Sequence, residues 1–354
     1  MLLYVLVALI LFSLLIFLHE LGHFIAAKAC NVRVNEFSVF MGPTILSKTI
    51  GETTYSLRAI PIGGYCAMEG EEQESTDARA YSAAAVWKRF LILIAGALFN
   101  YLFAILLLFS LFITTPKTPM PVIESVEPSS TVAGADGLRA GDTILRIDGK
   151  AILRYSDVSA VLGQTDASHD LIVRRDGKKL TIRNILFQLQ EFPNSDGSKS
   201  LRYGINFSLM PMTVSTALSE AWFTAFDFVK MIWIGLGDLI RGAVGLDQLS
   251  GAVGIVKAMA ETGQSAPTVS AAMRSLLLFS AFLAANLAVT NLLPIPALDG
   301  GKAFTLLVSR LLEKLLRRKI DPRYEQTIHA VGMILLLLLI ALITFKDILS
   351  IFRR

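Results

Sequence analysis

Four apolar stretches constrain this chain more than any other feature of its sequence. A helix crosses the hydrocarbon core of a bilayer in about 20 predominantly apolar residues. Without water to satisfy exposed backbone groups, such a stretch must be helical. Leu2 to about Ala29, Phe90 to about Thr114, Leu276 to about Ala297 and Ala330 to about Thr344 meet that condition, the last being short but very apolar. Charged residues make up 18% of the 354 residues, where a soluble domain carries about 25%. The sequence therefore describes a polytopic α-helical membrane protein with four transmembrane helices. The first stretch could imitate a signal peptide, but no basic region precedes it and no small-x-small cleavage site follows. It runs directly into His19 and reads as a retained helix.

Orientation follows from the basic residues, because cytoplasmic connections are enriched in Lys and Arg. Lys28, Arg33, Lys48, Arg58, Arg79, Lys88 and Arg89 lie between the first two stretches, and Lys302, Arg310, Lys314, Arg317, Arg318, Lys319 and Arg323 between the last two. Both connections are expected on the cytoplasmic side, with residues 115–275 outside. The net charge of +4 is modest and its cations flank apolar runs, which is a membrane pattern and excludes a nucleic-acid partner. Cys30 and Cys66 fall on the reducing side and read as unpaired structural thiols.

The outer region starts as a soluble β-domain. PVIESVEP, GDTILRIDG, HDLIVRRDGKKLTI and LRYGINFSL alternate β-rich runs with turn signals, and Arg175-Asp176-Gly177-Lys178 reads as a hairpin turn. Farther on, Ala221–Arg241 is apolar enough to imitate a fifth span. At 100° per residue, however, Asp227, Lys230, Asp238 and Arg241 fall within about 80° of one another. Trp222, Val229, Trp233, Leu236 and Ile240 face the other way. A charged stripe opposite two tryptophans predicts an interfacial helix. The expected division is an N-terminal membrane part at 1–115, a β-domain at 116–210, an interfacial helical region at 211–274 and a C-terminal membrane part at 275–354.

The chemistry begins with His19-Glu20-Leu21-Gly22-His23. Two histidines four apart share a helix face, so both imidazoles can reach one Zn²⁺ while Glu20 stands beside its water. Each ionisable group in an apolar helix costs on the order of 3 kcal/mol, so three together demand a reason, and a metal supplies it. A catalytic zinc takes three protein ligands and keeps an open position. Asp299, in Asn291-Leu292-Leu293-Pro294-Ile295-Pro296-Ala297-Leu298-Asp299-Gly300-Gly301, reaches a matching depth along the third stretch, and two prolines free the backbone before it. The alternative is an aspartate that merely starts an Asp-Gly-Gly turn.

An H-E-x-x-H in the first span, an N-x-x-P-x-P-x-L-D-G-G in the third and a β-domain between them resemble the site-2 protease family of intramembrane zinc metalloproteases. The likeness covers essentially the whole chain and is nearest to the bacterial branch typified by the regulator of sigma-E protease. It implies one zinc per chain, with His19, His23 and Asp299 as ligands and Glu20 as catalytic base. It also implies substrate contacts at Asn291 and Asn286, which otherwise read as interhelical hydrogen-bonding residues. Where the family often has histidine after Leu-Asp-Gly-Gly, this chain has Lys302. Gly137-Leu138-Arg139-Ala140-Gly141-Asp142 resembles the signature of bacterial PDZ domains, whose peptide groove would fall near Tyr203, Gly204 and Ile205. Such a domain either captures peptide ends or acts as a size filter.

A transmembrane substrate must be unwound to be cut, and strand addition to a β-element beside the zinc would hold it extended. Phe37–Gly70 fits that role, with TTYSLRAIP as a strand and Gly63 and Gly64 at its end allowing close backbone approach. A plain cytosolic hairpin is the alternative. The resemblance implies a multi-pass protein of the bacterial inner membrane. Its β-domain would be extracytoplasmic, its active site towards the cytoplasmic side, and its substrates single-pass membrane proteins such as anti-sigma factors or signal-peptide remnants. A receptor scaffold would leave the intramembrane histidines unexplained, and a transporter would call for an internal repeat, which the sequence lacks.

Overall fold

The computed structural model describes residues 2–71, 75–134, 137–163, 166–193, 199–245, 251–318 and 321–352. In chain order, α1 (Leu2–Ala29) leads to strands β1 (Val34–Ile50) and β2 (Thr53–Met68), and then to α2 (Val86–Ile113). Next come β3 (Lys117–Val126), β4 (Thr143–Ile147), β5 (Lys150–Ala151), α3 (Tyr155–Leu162), β6 (Ala167–Arg175), β7 (Lys178–Phe187), β8 (Gln190–Pro193), β9 (Lys199–Arg202) and β10 (Ile205–Pro211). The chain ends in α4 (Val214–Ile240), α5 (Ala252–Ser265), α6 (Val269–Asn291), α7 (Asp299–Leu316) and α8 (Pro322–Phe352). Two compact units result: Met1–Phe112 with Ser215–Arg354, and Ile113–Val214.

Among the described residues, four helices are long and apolar enough to cross a membrane: Leu3–Ala29, Val86–Ile113, Val269–Asn291 and Arg323–Asp347. The protein is membrane-embedded, and its four candidate spans are those expected. Two ends differ from expectation. The third helix starts at Val269 and not Leu276, because the Thr268 side chain accepts a hydrogen bond from Ala271 N and caps it. It stops at Asn291 and not Ala297, because Pro294 and Pro296 cannot supply helical N–H donors. The fourth runs from Pro322 to Phe352, well beyond the apolar run that marks it.

Helices in lipid gain little from burying apolar surface against one another, so close contact depends on small residues. A Cβ at Gly22 would stand 2.6 Å from the Ala95 carbonyl oxygen, so α1 and α2 touch backbone to backbone there. The same logic applies to Ala221–Arg241, which is not among the four candidate spans. It forms the larger part of α4, whose contact face is Ala217, Ala221 and Ala225, fully buried. Ala221 and Ala225 pack with Ile105 and Leu108 of α2 and Ala281 of α6. Trp222 and Trp233 stay exposed, and Lys230 pairs with Asp227 at 3.1 Å.

Strands β1 and β2 are joined through Gly51-Glu52, but they form more than a plain hairpin. Glu36–Val39 is flanked twice, by Thr54–Leu57 and by Gly64–Ala67, while Leu46–Ile50 pairs with Thr53–Leu57. The doubling requires β1 to bend, which it does at Phe40 and Gly42, both with positive φ (69° and 86°). Gly64–Met68 is thereby left as an edge segment among the described residues. An aromatic cluster seats the element on α1: Phe24 lies 4.9 Å from Phe37 and 5.9 Å from Tyr55, centroid to centroid. Ser13 Oγ donates to the Pro61 carbonyl at 2.7 Å.

In the unit Ile113–Val214 the main sheet runs β10-β3-β4-β6-β7, with β5 pairing β4. Its core comprises Ile123, Ile144, Ile147, Leu171, Val173 and Phe187, all buried. The turn expected at Asp176-Gly177 is present, with φ of 48° and 78° and Arg175 opposite Lys178. Asp142, fully buried, accepts from Arg175 at 2.8 and 2.7 Å and from the Arg139 N–H at 2.9 Å.

Candidate metal centre

His19 and His23 project from one face of α1 into the seam with α2, 9% and 7% exposed. They fit there because α2 presents glycine. A Cβ at position 96 would stand 2.4 Å from His23 Nε2 and 2.7 Å from His19 Cε1. The two Nε2 atoms are 3.2 Å apart, and Asp299 Oδ2 lies 3.0 Å from one and 3.2 Å from the other. A tetrahedral ion bonded at about 2.0–2.1 Å holds its ligand atoms roughly 3.3 Å apart. The triangle of 3.0, 3.2 and 3.2 Å is therefore the right size for zinc. Among the described residues these three form the one group of His, Cys, Asp and Glu able to hold a metal ion.

Asp299 arrives from 276 residues away by a tight route. After α6 the backbone passes Pro294 and Pro296 and turns at Ala297, whose φ of 80° is rare for a residue with a side chain and costs about 1–2 kcal/mol. Leu298 then caps α7, and Asp299 is its first residue, where the helix dipole favours a carboxylate. The two glycines that follow make room for the loop. A Cβ at Gly300 would stand 2.3 Å from the Leu292 carbonyl carbon, and one at Gly301 2.0 Å from the Ile295 carbonyl oxygen.

The far side of each imidazole decides which nitrogen faces a metal. His23 Nδ1 lies 2.8 Å from the Ile92 carbonyl, so it carries the proton and leaves Nε2 its lone pair. His19 Nδ1 lies 3.5 Å from the amide groups of both Asn100 and Asn291. Asn100 is fully buried, and its Oδ1 has no partner among the described residues. Turned over about its last bond, that amide gives Oδ1 an N–H to accept from and sets His19 in the same tautomer. Asn286 does not share this position. It is five residues from Asn291, about 140° around the helix, and its carbonyl accepts from Thr290 Oγ1 at 2.8 Å.

Glu20 faces the β-element. A Cβ at Gly64 would stand 3.6 Å from Glu20 Cγ, and Gly63 beside it is buried with φ of 83°. Cys66, two residues on, is a free buried thiol; burial first, then the carboxylates of Glu20 and Glu71, push its pKa up, so it stays protonated. Burial likewise pushes the Tyr81 hydroxyl up to about 12. Lys302, where the family often has histidine, makes an ion pair of 2.9 Å with Glu71.

Residues 7–339 match the sequence profile of Peptidase family M50. The chain belongs to this family. It is 35% identical over 348 residues to a Clostridium perfringens protein, covering 98% of each chain. To a Fusobacterium nucleatum protein it is 33% identical over 357 residues, covering 98% of this chain and 99% of that one. A Helicobacter pylori protein is 31% identical over 360 residues, covering 97% and 98%. All three carry the name "Putative zinc metalloprotease". This M50 protein is a zinc metalloprotease, and its His-His-Asp group fits the metal. Sequence reasoning overlooked Gly96 and Asn100 of the M50 site. The signal was there: they are four apart and so share a helix face, and Asn100 is the one side-chain amide in the second apolar stretch.

Proposed function

We propose that this M50 protease hydrolyses peptide bonds within or beside the transmembrane segments of membrane-protein substrates. His19, His23 and Asp299 would hold the zinc, and Glu20 is the general base. The observation that carries this reading is the triangle of 3.0–3.2 Å formed by the three ligand atoms inside an apolar helical seam. When bound, zinc polarises the scissile carbonyl and lowers the pKa of its water to about 7. Glu20 takes the proton from the attacking water and returns it to the leaving nitrogen. Asn291, whose amide lies 3.5 Å from His19 Nδ1, steadies the substrate backbone near the histidines. The edge segment beginning at Gly64 receives the unwound substrate as an added strand, with Gly63 and Gly64 letting it approach Glu20.

The β-domain within 116–210 acts as an extracytoplasmic PDZ-like module that captures peptide termini. Support comes from the Gly137–Asp142 run leading into β4, and from β10, which follows Tyr203-Gly204 as an edge strand. The Tyr203 and Gly204 carbonyls already accept from Ser130 Oγ and Glu127 N, so a peptide would use the edge of β10 from Ile205 onward, which no strand among the described residues covers. The basic connections favour a zinc site towards the cytoplasm, and the bacterial relatives favour the inner membrane. Its substrates are then single-pass proteins, such as anti-sigma factors or signal-peptide remnants.

The test compares wild type with Glu20→Gln in detergent, measuring zinc per chain and cleavage of a transmembrane substrate. One zinc in both, with cleavage reduced by about 10²–10⁴ in the variant, is expected. Absence of zinc from both after metal supplementation would refute the proposal.

A further inference from the structure

We propose that His329 of α8 is a positioning residue, whose imidazole fixes the backbone that presents Asp299 to the metal. The inference rests on the zinc reading of His19, His23 and Asp299 and adds a residue from the fourth span to that site. His329 lies on α8 immediately before the fourth apolar stretch and is half-buried. Both ring nitrogens are engaged. The Ala297 N–H donates to Nδ1 at 3.3 Å, and Nε2 lies 2.9 Å from Thr305 Oγ1. Thr305 spends its own proton on the Gly301 and Lys302 carbonyls, at 3.0 Å each, so its oxygen is left to accept from Nε2–H. The ring is thereby held as the Nε2–H tautomer, with its acceptor aimed at one backbone amide.

That amide is not an ordinary one. Ala297 holds a left-handed φ of 80° and stands two residues before Asp299. Helix α8 grips the preceding residue as well, since a Cβ at Gly332 would be 2.3 Å from Pro296 Cβ. Thr305, the other partner, sits on α7, the helix that Asp299 begins. One imidazole therefore clamps the loop before the ligand to the helix after it. This is the work that partners of metal ligands perform elsewhere, and their loss lowers metal affinity about 10–100-fold.

The experiment measures zinc affinity by chelator competition, and ligand geometry by the visible spectrum of the cobalt(II)-loaded protein, in full-length wild type, His329→Leu and His329→Asn. Leucine fills the space without hydrogen bonds; asparagine keeps an acceptor near the position of Nδ1. Expected are a loss of about 10–100-fold in affinity with a shifted cobalt band for leucine, and recovery of most of both for asparagine. A leucine variant with wild-type affinity and spectrum would overturn the inference, as would asparagine behaving no better than leucine. Should leucine not fold, Thr305→Val carries the test: a severalfold loss supports the clamp and unchanged affinity overturns it. Wild type that binds no metal would overturn the zinc site itself, an outcome distinct from a normal wild type with an indifferent leucine variant.

Discussion

Replacing Gly96 by alanine adds a single methyl group, and the structure says where it must go. It would stand 2.4 Å from His23 Nε2, whereas ordinary carbon contacts begin at 3.4 Å. The imidazole must therefore retreat by about 1 Å, when metal–ligand distances tolerate about 0.2 Å. Moving α2 away instead would open the seam at Gly22, which rests on the Ala95 carbonyl and the Gly96 Cα. Zinc affinity should consequently fall by at least about 100-fold, the upper end of what losing an outer partner costs. The fold should suffer far less, because alanine favours a helix over glycine by about 1 kcal/mol, which offsets part of the roughly 1–3 kcal/mol that overpacking costs. Bound zinc by elemental analysis after graded chelation, with thermal unfolding measured in parallel, separates the two effects. Gly235→Ala is the control, since its Cβ would meet nothing within 4 Å. A Gly96→Ala protein that keeps one zinc with wild-type resistance to chelator would refute the reasoning.

Two further outcomes follow from the same geometry. Asn100→Ala should lower zinc affinity about 10–100-fold by freeing His19 Nδ1, as followed by chelator competition; an unaltered affinity would remove Asn100 from the site. Cys66, with its thiol pKa raised by burial, should resist iodoacetamide at pH 8.5, where an ordinary thiol is about half ionised. A thiol whose folded pKa is raised lends stability that is fully present below the ordinary value and is lost as pH climbs past it. Peptide mapping after labelling checks this, and a native rate close to the denatured one would contradict it.

What could be read in the sequence was whatever a short spacing determines. His19 and His23 are one turn apart on a helix, so their shared face is fixed by helical geometry alone. Asp299 was legible for a different reason: paired prolines and glycines around a carboxylate in an apolar stretch leave few structural uses for it. The doubling of β1 against β2 was not legible, because it depends on Phe40 taking a left-handed φ of 69°, which few non-glycine residues do. The contact face of α4 was not legible for an energetic reason. Hydrophobic and charged residues dominate an amphipathic pattern, yet in lipid the alanines decide where helices meet.

The same contrast explains how the site is assembled. Helix α1 places His19 and His23 on one face by local geometry, and Gly96 of α2 leaves the room they occupy. Asp299 depends on further non-local fits: Gly300 and Gly301 against the loop from Leu292 to Ile295, and Ala297 held in a strained conformation. A strained backbone persists only where its surroundings over-determine it. Here the surroundings come from α7 and α8, both far from α1 in sequence. Zinc binding to His19, His23 and Asp299 would tie these distant elements together, so metal affinity and docking of the loop share one free energy. Substitutions that loosen the loop should therefore register first as lost zinc, before any change in helix content.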